Sequence, residues 1–172
     1  MKYLPDYFKD VVTAISTEAN PVYSHFGNWS ELLMDLEEKK KSPTYQSLRY
    51  PLVMLWSKYS ERYGEISERA IADNVFMYII CQSSISGLLI EPQKYTTQQR
   101  WDSIFTVTIN PIYEALLLRM KFGAVFVKTI NDIPHNRTND YNLWVGDKIN
   151  KLPDNLDAIE LNFKNLTYYL KK

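Results

Sequence analysis

One cysteine, two histidines and five scattered glycines in 172 residues remove several kinds of chemistry from consideration. Cys81 has no partner for an intramolecular disulfide, and its place in the apolar run from Val75 reads as a small buried hydrophobe, not a reactive thiol. His25 and His135 are too far apart in the chain for a paired-histidine metal motif, and no C-x-x-C or calcium-loop spacing exists, so no metal or cofactor is expected. The glycines stand singly, which excludes a glycine-rich phosphate loop. Neither a serine-nucleophile elbow nor a cysteine–histidine pair can be assembled. His25 alternates with Tyr23 on a short strand and reads as structural. His135, beside Arg137, reads as part of a solvated loop, and Asp154 with Asp157 reads as turn chemistry.

Charge of one sign is missing too. Twenty basic and twenty acidic side chains cancel, so no overall field points to nucleic acid or to a membrane surface. No apolar run reaches the ~18–20 residues needed to cross a bilayer. The opening MKYLPDYFKD carries a proline and charges where a signal peptide keeps an apolar segment. The expectation is a single soluble domain, residues 1–172, in a reducing compartment, long enough to bury a core without staples.

What the chain does have is aromatic side chains: thirteen tyrosines, seven phenylalanines and four tryptophans. Tyrosine and tryptophan join apolar area to a polar handle and are favoured at protein interfaces. A large core in a tyrosine-rich sequence explains the same excess. Tyr45, Tyr50, Tyr59, Tyr63, Tyr141 and Trp144 lie in segments without core periodicity, and are the expected subunit contacts.

The chain is organised around residues 97–123. At helical spacing Trp101, Ile104, Phe105, Ile109, Ile112, Tyr113, Leu116, Leu117 and Met120 form one broad apolar stripe. The spacing predicts one helix over 97–121, kinked at Pro111. The β-branched alternation of Ile104–Ile109 leaves a second reading, a strand to Ile109 and a new helix from Pro111 with Asn110 as its cap.

Upstream, Pro5-Asp6 opens an amphipathic helix that ends near Asn20-Pro21. A short strand over Val22–Phe26 follows. Asn28-Trp29-Ser30-Glu31 has the form of a capping box before a helix that closes on Lys39-Lys40-Lys41. Pro51–Trp56 and Val75–Cys81 read as strands, the second central, because it is apolar on both faces. Residues 58–73 read as a charged connector, 124–130 as a further strand, and 131–154 as a long irregular segment. Residues 156–170 read as a closing strand bent near Asn165. The order predicts an α+β fold: a small, mostly antiparallel sheet packed by the N-terminal helix and the long central one.

This succession carries the motifs Tyr50-Pro51-Leu52-Val53, Arg100 with Phe105, Pro111-Ile112 and Asp157-Ala158-Ile159-Glu160. With them the chain resembles the small tail-completion, or tail-terminator-like, neck proteins of tailed bacteriophages, particularly those of crAss-like and other Bacteroidales phages. The resemblance implies a non-enzymatic virion protein. Such a protein forms a homo-oligomeric ring of about six or twelve copies, contacting portal or other neck and tail proteins, with DNA passing unbound through the lumen. Two other classes stay open from the residues alone. One is an enzyme or ligand-binding protein whose segment 131–153 covers a pocket; the other is a monomeric or dimeric adaptor.

Overall fold

The computed structural model describes residues 2–45, 48–64, 68–82, 96–122, 126, 135–138 and 156–170. The first helix, α1 (Leu4–Ile15), starts where Asp6 accepts a hydrogen bond from the Tyr3 amide at 3.0 Å. It stops five residues before Asn20, earlier than the proline signal suggested. After β1 (Tyr23–Gly27), α2 (Trp29–Lys41) opens on a reciprocal cap. The Glu31 amide donates to Asn28 Oδ1 at 3.0 Å and the Asn28 amide donates to Glu31 Oε2 at 2.7 Å. Gly27 has to be glycine for this: a Cβ there would collide with the Glu31 carboxylate and approach His25 Nε2.

Among the described residues the sheet has six strands, in the order β1-β2-β4-β6-β5, with β3 paired to β4 off that path. They are β2 (Leu52–Trp56), β3 (Ser60–Tyr63), β4 (Arg69–Gln82), β5 (His135–Thr138) and β6 (Leu156–Tyr169). Among the described strands only β1 and β2 run parallel; the other pairings are antiparallel. The fold is α+β with a mostly antiparallel sheet, as the order of elements predicts. Two strands lie where the sequence reading has none. Ser60–Tyr63 sits in the expected charged connector, and its polar, non-alternating sequence is what an exposed strand can carry. His135–Thr138 sits in the expected irregular segment, as the outermost described strand beside β6. The expected strand over 124–130 lies outside the described residues except for Phe126, which makes an isolated bridge to Tyr168.

The central helix is continuous. It runs as α3 (Thr97–Arg100), a π-helical segment (Trp101–Ile109) and α4 (Asn110–Phe122), capped by a reciprocal Thr96–Gln99 pair. The β-branched run is therefore helical, and the strand alternative is excluded. Pro111 brings no N–H and its ring crowds the carbonyl four residues back. Just before it the winding is wide, and the Asn110 amide bonds to the Phe105 carbonyl, five residues away. The chain thus passes the proline by widening its turns.

Both faces of the sheet are covered. On one face α1 and the central helix bury Tyr7, Phe8, Phe105, Ile109 and Leu116 against Val53, Met77, Ile79, Ile159 and Leu161. On the other, Leu32 and Leu36 of α2 pack on Leu52, Met54, Tyr78, Ile80 and Ala158. The second layer was the less visible in the sequence, since α2 offers only a narrow apolar edge.

The two long strands exchange faces midway. In β4 the residues on the central-helix side are Ala70 and Ala72, then Val75, Met77 and Ile79; in β6 they are Ile159, Leu161 and Phe163, then Leu166 and Tyr168. Each strand spends one extra residue at the same level, so the register of Asp73 on Asn165 and Val75 on Phe163 continues unbroken. Asn74, at φ 57°, holds the change in β4 with a backbone that asparagine tolerates better than most side chains.

Candidate functional site

Where the central helix faces solvent, it is apolar a second time. Val107 is 68% exposed, Leu118 61% and Phe122 68%, and Pro111 lies between them on the same outward side. Exposed polar side chains stand among them, Thr106, Glu114, Arg119 and Lys121, so these apolar positions form a broken stripe on an otherwise polar outer face. The stripe borders a recess of about 400 Å³ between the helix, the end of α1 and the entry to β1 and β2, lined by Ile15, Val22, Pro51, Val107, Pro111 and Ala115 among others. Together they make an apolar surface with relief.

At the opposite end of α1 a carboxylate is held by tyrosines. Tyr168 and Tyr63 each donate a hydroxyl hydrogen bond to Glu61, to Oε1 and Oε2, both at 2.6 Å. Tyr7 meets Tyr168 edge-on at 5.7 Å. The bond to Glu61 is the first cause that pushes the Tyr63 hydroxyl up to about 12; burial comes first for Tyr168 and Tyr59, also upward. These hydroxyls stay protonated near neutrality, so the cluster is a set of donors around one acceptor, without a base poised for proton transfer.

A buried ion pair joins the head of the central helix to the head of β6. Arg100 Nη1 donates to Asp157 Oδ1 at 2.9 Å, with both side chains almost wholly out of water. Cys81 is the register partner of Asp157. Its thiol is pushed up to about 12, first by burial and then by that carboxylate, so it is unreactive near neutrality. Asp157, expected in turn chemistry with Asp154, is instead a core residue, the second of the closing strand that begins at Leu156 as the sequence reading has it.

His25 is half-buried on β1, with Nδ1 3.8 Å from Asp35 Oδ2. Burial lowers its pKa, against the pull of Asp35, so it is neutral at pH 7. Arg137 of β5 stands over the rings of Trp101 at 5.6 Å and Tyr113 at 5.9 Å, tying the outer strand to the central helix.

Of the six expected contact residues, the four that are described do not gather in one place. Tyr59 and Tyr63 stand at β3, the first half-buried against the main core and the second exposed. Tyr50, half-buried, packs on the α2 side beneath the Arg49 guanidinium at 5.5 Å. Tyr45 is exposed in the turn after α2. Tyr141 and Trp144 lie outside the described residues. The stripe of Val107, Leu118 and Phe122 was missed because the inner stripe accounted for the helix; its signal was the set of apolar residues left over once that stripe was drawn. Trp101, assigned to the inner face, is exposed and stacks on Phe105 at 5.6 Å.

Among the described residues no group of three or more acidic, histidine or cysteine side chains could hold a metal, and no helix is long and apolar enough to cross a membrane. No protein-family model and no curated protein matches the chain.

Proposed function

We propose that this chain is a non-enzymatic structural protein that works by assembling with copies of itself, as a ring in the neck or tail of a phage virion between portal and tail. The observation that carries the reading is the outward apolar stripe of the central helix, Val107, Leu118 and Phe122, beside an apolar recess. A monomer in water gains nothing from exposing leucine and phenylalanine on a helix already anchored by its other face; burial between subunits would stabilise by roughly 1.5–3 kcal/mol for each such side chain. The buried pair Arg100–Asp157 further joins two of the motifs on which the phage resemblance rests. Equal numbers of acidic and basic side chains suit a ring through which DNA slides, because phosphate neutralisation by many cations would grip it.

The test is mass in solution and in assembly. The purified chain should form a discrete oligomer by light scattering, and Leu118→Asp with Phe122→Asp should return it to a monomer that keeps the wild-type far-ultraviolet circular dichroism and a cooperative, concentration-independent melt. A wild-type chain that stays monomeric at high concentration, and is absent from particles, defeats the proposal. Oligomers that persist in the double variant keep the assembly but move its interface elsewhere.

A further inference from the structure

A second recess of about 400 Å³ lies on the other side of the molecule, where β2 turns into β3 and the two long strands change faces. Its wall is aromatic: Trp56 and Phe76 meet edge-on, centroids 5.6 Å apart, at the half-covered margin of the α2-side core. Tyr59, Ser60 and Asn74 supply polar edges. Its charges are arranged unequally. Asp73, the acid in the lining, has one oxygen taken by Arg62 Nε at 2.8 Å and the other by Arg62 Nη2 at 3.1 Å. With the Asn165 amide nitrogen turned toward it, a further donor reaches Asp73 at 2.6 Å. Lys58, exposed, holds its ammonium 5.9 Å from the Trp56 ring centroid. Lys164, also exposed, stands on β6 between Asn165 and Phe163, the partners of Asp73 and Val75.

An aromatic corner whose acid is neutralised and whose remaining lining charge is the Lys58 ammonium selects against a cationic ligand. It suits a flat ring that carries an anionic group. We propose that this recess is a binding site for a nucleotide unit: the base lies against Trp56 and Phe76, and the phosphate is met by Lys58, which swings off the indole. The volume is in the range of small-molecule sites, and an indole face binds any base because each presents a flat π-surface. The phosphate supplies the charge that the base alone lacks. This inference is independent of the ring, since it uses none of the residues of the outward stripe.

The experiment follows the indole N–H of Trp56 by NMR, assigned with Trp56→Phe, during titration with adenosine monophosphate, adenosine and inorganic phosphate at low salt. Adenosine monophosphate should shift that signal, with adenosine weaker by about tenfold, and phosphate alone leaving the ring unmoved. Lys58→Gln, an exposed change that should not disturb folding, should bring adenosine monophosphate down to the affinity of adenosine and leave adenosine unaffected. A short single-stranded oligonucleotide provides the last arm. Tighter binding per site than the mononucleotide marks a strand as the source of the base, and equal or weaker binding marks a free nucleotide. The inference is overturned if the mononucleotide leaves Trp56 unmoved, if it binds no better than adenosine, or if Lys58→Gln binds it as wild type does.

Discussion

Arg100 and Asp157 show how a single pair of side chains can join distant parts of a chain. A guanidinium and a carboxylate out of water are each costly alone, and their mutual attraction roughly offsets that cost only while both are present. Arg100→Leu or Asp157→Leu alone should therefore lower stability by about 3–5 kcal/mol, and the double change should recover most of the loss. Urea midpoints for the four proteins decide it; a double variant as unstable as the sum of the singles would show that the two side chains are not coupled. The sequence exposed Arg100 only in a likeness to a family motif, and Asp157 there and as turn chemistry with Asp154. Nothing in composition or spacing says that residues 57 positions apart will meet, because that depends on where two elements start and not on any local period.

At the scale of elements, legibility followed periodicity. The inner stripe of the central helix and the apolar run of β4 were readable because each repeats a local rule over several residues, and the capping box of α2 because its two partners lie three residues apart. Residues 69–73 of β4 were not, since Asn74 shifts the alternation by one and leaves the two halves out of phase. β3 was missed because an exposed polar strand has no pattern to read. Asn74 gives a direct check on this device. Asn74→Ala should cost about 1 kcal/mol, because a Cβ without a polar side chain is disfavoured at positive φ, whereas Asn74→Gly should stay within about 0.5 kcal/mol. An alanine variant with the wild-type denaturation midpoint would mean the left-handed backbone exerts no selection there.

Taken whole, the molecule is two cores on one sheet. β4 and β6 contribute to both, so the layers should melt together. Leu116→Ala on one side and Leu36→Ala on the other should each cost about 2–5 kcal/mol and add nearly independently, since no shared neighbour couples them. Fluorescence from variants retaining only Trp29 or only Trp101 should follow one transition. Separate midpoints would show α2 to be a detachable layer. That α1 and the central helix pack on the sheet could be read from the sequence; that they share one face and that α2 closes the other could not, because Leu32 and Leu36 are too few to announce a second layer.

The face exchange of β4 and β6 has a consequence for how the sequence can change length. Removing Asn74 alone would leave Ala72 and Val75 in plain alternation on one face, but would slip Arg69–Asp73 by one residue against β6, which keeps its own extra residue, and drag β3 with them. A matching deletion at Lys164 or Asn165 would restore the match. The two positions form a single genetic hinge: insertions and deletions there are tolerated in pairs, so relatives of this chain should differ in length at both sites or at neither.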